Sequence, residues 1–456
     1  MSTLARLLGN LFARIRKPIA RPTHEFGAGN AARADALFRR CVQLADSAQF
    51  DSACDCYRRL LELDPRHSKA CNNLGILHQR RGDLAAATQC FNDSARFDPR
   101  LAEPHVNLGN LMDIQGDPES AARHYRQALA IDPGHAHAHC CLAQALLAMG
   151  RYESGWEEYE WRWRAGDPQF RLLPFQQPLW DGSQDIAGKR VLLHAEQGFG
   201  DAVQFIRYAA LVAARGAKVI VICDPALQTL LQTVPGVESV VEPGRVLAGF
   251  DFHAPLMSLP RAFRTTIESI PAHVPYVFPD PAAVDAWRGR LSGHAGRLKI
   301  GLAWAGRPSF VAARMKSCPL ERLAAVLDTP DCAFFSLQKG EAAADLKKLD
   351  PRGAPVADYT DALHDFRDTA ALIAALDIVI SIDTAAAHLA GALGKPVWVL
   401  LAGVPDWRWL PRAGALKWYP TARLFRQDTA GEWGSVVAEV RQVLQREAGS
   451  RAQNLS

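Results

Sequence analysis

The sequence predicts an α-helical solenoid followed by an α/β module of two lobes, and two observations carry that prediction. Between residues 53 and 133 several positions recur with a step of 34. Beyond residue 190, short apolar strands, glycine turns and helical runs follow one another, and the pattern starts again at residue 298.

In the first region Asp-Pro stands at 64–65, 98–99 and 132–133. Leu74-Gly75 is echoed by Leu108-Gly109, Gly82-Asp83 by Gly116-Asp117, and Ala53, Ala87 and Ala121 form a further series. Tyr57, Phe91 and Tyr125 keep the same step. Each unit reads as two short amphipathic helices, the second stopping before a proline that cannot continue it. The small residue lets the paired helices approach, and the aromatic fills the gap between neighbouring repeats. Several positions sharing one period resemble the tetratricopeptide repeat. A degenerate first unit near 34–67 has Arg40-Cys41 where Leu-Gly would stand, and a fourth near 136–169 keeps Leu142-Ala143, Gly150-Arg151-Tyr152 and Tyr159.

Stacked repeats of this kind form a concave groove that holds a peptide or protein; the plainer alternative is that they brace the module after them. His135 and His139 share a helical face, but His137 points away and no cysteine or carboxylate pattern completes a set, so no metal is expected there. Trp156, Trp161 and Trp163 read as a packed joint rather than a nucleobase stack. The Pro-containing stretch 174–183, with Trp180-Asp181-Gly182, reads as a linker.

With 456 residues the chain is too long for one core, and 48% hydrophobic against 22% charged residues is the balance of a folded protein. No apolar run approaches the ~18 residues that span a bilayer. Ten cysteines without paired spacing read as small buried apolar residues, which fits a reducing cytoplasm better than a disulfide framework. Arg6, Arg14, Arg16, Lys17 and Arg21 against Glu25 account for the whole net charge of +4, so no nucleic-acid surface is expected elsewhere. Leu4, Leu8, Leu11, Phe12 and Ile15 fall at helical spacing in that stretch. It reads either as a basic amphipathic segment for an anionic membrane surface or as a leader docked on the first repeat. Arg6 and Arg14 interrupt the apolar region, so a signal peptide is not expected.

In the second region the run 190–194 is a short apolar strand, followed by the turn Glu196-Gln197-Gly198-Phe199-Gly200-Asp201, a helical run to about residue 215 and a second strand at 217–223. The unit returns with strands at 298–304, 333–337, 378–382 and 397–401, and helices around 319–328, 369–376 and 383–393. Strand, turn, helix, strand is the βαβ unit of a parallel sheet, so two Rossmann-like lobes facing a cleft are expected. A C-terminal helix is expected at about 434–447, crossing between the lobes.

Ligands of open parallel sheets bind at the carboxyl ends of strands, and two turns stand out there. The glycines of Gly198-Phe199-Gly200-Asp201 allow a tight turn and close approach of a substrate. Asp201 at the helix start can take a proton from a hydroxyl, or it can simply cap the helix. The second turn is Ser381-Ile382-Asp383-Thr384-Ala385-Ala386-Ala387-His388, where small residues at a helix N-terminus leave N–H groups for a phosphate, with His388 one turn in.

The segment Asp383–Pro396 resembles the donor-site signature of the bacterial heptosyltransferase-type glycosyltransferases, which have the GT-B fold. That family commonly has Asp-Thr-Gly-x-x-His, and here Ala385 stands at the glycine. The resemblance implies that Asp201 is the base, that Lys316 meets the donor's phosphate, and that Gln338 and Lys339 make donor contacts beside Asp383, Thr384, Ala385, Ala386 and His388. Glu196, Gln197, Gly198 and Gly200 would form the acceptor-side loop. The whole layout is similar to bacterial proteins in which tetratricopeptide repeats precede this module, with Trp-Asp-Gly at 180–182, Asp-Trp-Arg-Trp at 406–409 and Arg-Leu-Phe-Arg-Gln at 423–427. Some of these modify flagellin.

The fold class implied is an N-terminal solenoid of tetratricopeptide repeats followed by a GT-B module of two Rossmann-like lobes. Its expected parts are a basic segment (1–33), the repeats (34–169), an acceptor-side lobe (170–290) and a donor-side lobe (291–456). No two aspartates lie two residues apart, so the Asp-x-Asp metal site of the other large glycosyltransferase fold is missing and no cofactor or metal is expected. Lys316, the Asp383–Ala386 turn and His388 would offset the leaving phosphate in an inverting displacement. Trp407, Arg408 and Trp409 either line the cleft or, the favoured reading, pack. The expected function is transfer from a nucleotide-sugar to Ser or Thr of a protein held by the repeats. The alternatives are transfer to a lipopolysaccharide or other glycan, and a non-catalytic repeat scaffold. A cytoplasmic protein is expected, with peripheral inner-membrane contact through residues 1–21 in the second case.

Overall fold

The computed structural model describes residues 28–166, 170, 172–244, 249–306, 316–349, 356–409 and 416–455. Contact density divides the chain into two compact units, residues 1–149 and 150–456. Residues 1–27 of the expected basic segment (1–33) lie outside the described residues, and so does the membrane contact expected through residues 1–21.

The described residues of the first unit form helices joined by short turns: α1 (Ala28–Asp46), α2 (Phe50–Leu63), α3 (Ser68–Arg80), α4 (Leu84–Phe97), α5 (Glu103–Ile114), α6 (Pro118–Ile131) and α7 (Ala136–Ala148). The recurring dipeptides show their work. Asp64, Asp98 and Asp132 each accept at Oδ1 the backbone N–H two residues on, at 3.3, 3.2 and 3.0 Å, turning the chain after α2, α4 and α6. Asp83 and Asp117 cap α4 and α6 by accepting from Ala86 N and Ser120 N, each at 3.0 Å. Gly82 and Gly116 precede them at φ 81° and 77°, a backbone that favours glycine.

The small and aromatic series meet inside the second and third repeats, and the aromatics also reach the next repeat as expected: Asn73 Nδ2 donates to Tyr57 Oη (3.0 Å), and Tyr125 packs with Ala138, Cys141 and Leu142. A β-carbon on Gly75 would lie 2.7 Å from Phe91 Cε1, and one on Gly109 would lie 2.4 Å from Tyr125 Cε1. Phe91 and Tyr125 therefore each pack on their own repeat's first helix. Position 41 of the degenerate repeat carries Cys41 instead, and it is disulfide-bonded to Cys56. The expectation that every cysteine is a small apolar filler is corrected here. Antiparallel pairing of α1 and α2 brings the two Cα atoms within 5.3 Å, which a spacing of 15 residues did not signal. The other eight are in no disulfide among the described residues, and all but Cys90 are buried.

The second unit begins with α8 (Tyr152–Tyr159), continued by a 3₁₀ turn over Glu160–Arg164. Trp156 is 1% exposed, edge-on to Phe205 and Trp407 with ring centroids 5.9 and 5.3 Å away. The stretch 174–183 is no free linker. Trp180 is buried, and its backbone N–H donates to His253 O (2.8 Å) while His253 N–H donates to Pro178 O (3.2 Å), sewing the stretch onto a sheet edge.

Two all-parallel sheets follow. The first contains β1 (Arg190–His194), β2 (Lys218–Ile222), β3 (Val237–Val241) and β4 (Phe252–Pro255) in the order β3-β2-β1-β4. Its helices are α9 (Phe199–Phe205), α10 (Ala209–Ala214) and α11 (Pro225–Leu231). After α12 (Pro281–Arg290), the second sheet contains β5 (Leu298–Ala303), β6 (Cys332–Ser336), β7 (Val356–Ala357), β8 (Ile378–Ile382), β9 (Val397–Leu401) and β10 (Ala422–Arg426). The order is β10-β9-β8-β5-β6-β7. With α13 (Phe366–Ala375) and α14 (Ala385–Ala392) this is the expected architecture, a helical repeat region followed by two Rossmann-like lobes.

The last helix, α15 (Gly434–Leu455), is longer than expected and does not cross between lobes. Val436, Val437, Val440 and Leu444 pack into the core of the six-stranded sheet with Ile300, Trp398 and Phe425. Among the described residues no helix is long and apolar enough to cross a membrane.

Candidate active site

The carboxyl ends of β1, β5, β6, β8 and β9 present the residues singled out in the sequence. Gly198 precedes α9, and Asp201 lies at its third position, accepting the Gly198 N–H at Oδ2 (3.1 Å). The helix-capping role of Asp201 is therefore real. It is not the whole of its role, because Oδ1 accepts from Arg408 Nη2 at 2.5 Å. Arg408 belongs to the Asp406–Trp409 segment that follows β9, so one ion pair joins residues at the strand ends of both sheets.

The start of α14 lies against the start of α9. A β-carbon on Gly200 would sit 2.6 Å from His388 Cδ2, so only glycine admits the imidazole there. His388 is 6% exposed, with Nδ1 3.0 Å from Tyr419 Oη and Nε2 3.6 Å from Asp383 Oδ1. Asp383 also accepts from Trp409 Nε1 (2.8 Å) and pairs with Lys316 Nζ. Thr384 precedes α14 without a side-chain cap, and its carbonyl accepts from Ala387 N (3.1 Å) and His388 N (3.3 Å). The amides of Ala385 and Ala386 stand ahead of those bonds, as the first donors of a helix do.

Two cations, Lys316 and Arg408, are thus set among three carboxylates, Asp201, Asp383 and Asp406. Burial alone would raise the Asp201 carboxyl; among the described residues, Arg408, His388 and the Gly198 N–H pull it the other way. Burial acts the same way on Asp383, and Lys316 with His388 holds it well below the ordinary range. Burial works against charge on Lys316, yet Asp383 and Asp406 outweigh it and the ammonium is raised. All the charged forms are present at neutral pH.

Other expected donor contacts are engaged within the fold. Gln338 accepts at Oε1 from the backbone N–H groups of Trp304 (3.0 Å) and Ala305 (2.8 Å), and donates to Ala305 O (3.0 Å) and Lys339 O (3.1 Å). It ties the end of β6 to that of β5. Lys339 Nζ donates to Thr360 O (2.7 Å) and Leu363 O (2.9 Å). On the acceptor-side loop, Glu196 is buried in an ion pair with Arg162 (3.0 Å) and accepts from Met257 N (3.2 Å). Gln197, at φ 65°, donates to Tyr159 Oη (2.9 Å). His135, His137 and His139 have separate neighbours: His135 Nδ1 caps α7 by accepting from Ala138 N (3.2 Å), His137 Nε2 lies 3.6 Å from Cys141 Sγ, and His139 Nε2 lies 2.9 Å from Pro133 O.

Trp407, Arg408 and Trp409, read as cleft lining or, by preference, as packing, are all three buried, and Arg408 and Trp409 also bond Asp201 and Asp383 respectively. Sequence reasoning missed that Arg408 and Asp406 join the charged cluster, and that Tyr419 holds His388. The run Asp-Trp-Arg-Trp at 406–409 was the available signal for the first two; Tyr419 had none.

A family model described as tetratricopeptide repeat matches residues 114–155. Over 331 residues the chain is 30% identical to Protein FlbA of Caulobacter vibrioides, covering 67% of this chain and 54% of that protein. The chain thus spans about half the length of the curated relative it matches. Among solved structures, the glycosyl transferase family 9 protein from Veillonella parvula is similar over 60% of this chain and 99% of its own, with TM-score 0.44 and 11% identity. A mutant O-GlcNAc transferase from Thermobaculum terrenum is similar over 94% of this chain and 95% of its own, with TM-score 0.33 and 17% identity. At these identities no residue's role is carried across.

Proposed function

We propose that the second unit is a glycosyltransferase that moves a sugar from a nucleotide-sugar to a hydroxyl acceptor. The observation that carries this reading is the meeting of Gly200-Asp201 with the start of α14 at Gly200 and His388, which sets a carboxylate beside a helix N-terminus at the strand ends of two parallel sheets. A diphosphate at the Ala385 and Ala386 amides would meet the positive end of α14, and Lys316 and His388 would add donors. Asp201, kept ionised, would take the proton of an acceptor hydroxyl as its oxygen bonds the anomeric carbon and the phosphate oxygen departs with the bonding pair. Attack opposite the leaving group inverts that carbon. Repeats of this kind commonly hold peptides, which supports Ser or Thr of a protein as the acceptor class over a lipid-linked glycan.

A scaffold without activity is the second reading. What favours it is that Lys316 is paired with Asp383 and Asp201 with Arg408, alongside Ala385 at the family's glycine position. Sugar transfer or donor hydrolysis from a panel of nucleotide-sugars decides between them. Turnover by the wild type that is lost in Asp201→Asn supports the enzyme, and no turnover with any donor supports the scaffold.

A further inference from the structure

We propose that Arg408 is a positioning residue for sugar transfer, reaching from the segment after β9 to hold the Asp201 carboxylate in place, with Asp406 as the counter-anion that lets Asp201 accept a proton. The inference rests on the glycosyltransferase reading, in which Asp201 is the base.

Arg408 is 5% exposed and each nitrogen of its guanidinium has a different acceptor. Nη2 donates to Asp201 Oδ1 (2.5 Å), Nε to Gln204 Oε1 (2.7 Å) and Nη1 to Asp406 Oδ1 (2.8 Å). The Trp407 ring lies 4.4 Å from Cζ and the Phe205 ring 5.6 Å. Asp201 and Gln204 share one face of α9, so the planar fork fixes that face and the Asp201 rotamer together. Lysine, a single point charge, cannot span three acceptors in one plane.

The arrangement leaves Asp201 able to react. A carboxylate offers about four acceptor positions, and Arg408 and the Gly198 N–H use two of them. When the acceptor's O–H proton moves to Asp201, Arg408 loses a counter-anion inside the protein. A lone buried guanidinium would be costly. Asp406, 2% exposed and with Oδ2 lacking a hydrogen-bond partner among the described residues, keeps the guanidinium paired through that step. Among the described residues, the charged groups facing Asp201 are Arg408 and His388, and those facing Asp406 are Arg408, Lys316 and Asp383. Arg408 makes Asp201 a weaker base, and Asp406 restores part of that basicity by sharing the guanidinium. A packing role for Arg408 has no reason to oppose the two carboxylates in this way.

The test is the acid limb of kcat/KM against pH for the full chain, with the donor-induced rise in melting temperature measured alongside. Arg408→Gln should move the acid limb up by about 1 pH unit and Asp406→Asn should move it down, with the donor's melting shift kept in both. Arg408→Lys should leave the limb near wild type while kcat falls at unchanged donor KM. An unmoved limb in both charge variants, or a loss confined to donor affinity, overturns the proposal. Should the wild type turn over no donor, the glycosyltransferase reading is what fails. The charge coupling is then read from the ¹³C carboxyl resonance that Asp201→Asn removes, titrated in the unliganded protein. Opposite movements in Arg408→Gln and Asp406→Asn support the arrangement, and no movement overturns it.

Discussion

Gly200 stands so close to His388 that a β-carbon there would lie 2.6 Å from the imidazole Cδ2. The contact joins α9 to α14 and fixes the distance between Asp201 and the helix N-terminus proposed to hold phosphate. Gly200→Ala forces His388 or one helix to move, so a loss of about 1–3 kcal/mol is expected in denaturant unfolding. Wild-type stability in this variant would mean that the two helices are not pressed together as described.

Asp201→Asn keeps the size of the side chain and removes its charge. Transfer should fall roughly 10²–10⁴-fold, the usual worth of a general base, while the nucleotide-induced melting shift persists. Retained activity would rule out Asp201 as the base.

Asp113, on α5, accepts a hydrogen bond from Tyr125 Oη (2.6 Å) deep in the repeats. Burial pushes its carboxyl up from 3.8 to about 7, although that hydrogen bond pulls the other way. The folded protein holds a proton that the unfolded chain releases near 3.8, so this stability is fully present below that value and is lost as the pH rises through 7. The span is on the order of 4 kcal/mol. The urea midpoint of the repeats should be lower at about pH 8 than at about pH 5, and Asp113→Asn should flatten that difference. An equal slope in the variant would show that another group is responsible.

Within the second and third repeats the glycine and the aromatic form a matched pair. Gly109→Ala would overlap Tyr125, since a β-carbon would lie 2.4 Å from its ring, and should cost about 1–3 kcal/mol. Gly116→Ala has open space and a different fault, a φ of 77°, so it should cost about 1 kcal/mol through backbone strain alone. Equal losses measured by urea unfolding would contradict the packing argument.

The repeats were legible because Asp-Pro, Leu-Gly and the aromatic series each perform one local job that recurs every 34 residues. The strands β1, β2, β5, β6, β8 and β9 were legible because they are buried on both faces and read as apolar runs. The missed strands carry weaker signals: β3 is half-exposed at a sheet edge, β4 is the short Phe-His-Ala-Pro, β7 is only Val356–Ala357 at an edge, and β10 places Arg423 and Arg426 at an edge. Asp201, Asp383 and His388 were found because each sits at a strand-to-helix turn. The link from Arg408 to Asp201 spans 207 residues and has no local pattern, so only the packing of α9 against the segment after β9 reveals it. The disulfide was hidden for the same reason, since Cys41 and Cys56 meet only through helix pairing.

Everything proposed for the second unit requires its strand ends to bind a nucleotide-sugar. A thermal-shift panel with ADP, UDP, GDP, TDP and CMP and their sugars tests it most directly. A ligand at about a hundred times its dissociation constant adds roughly 2.7 kcal/mol of stability. A clear rise in melting temperature is expected with one nucleotide, lost in His388→Ala. No rise with any of them would contradict it.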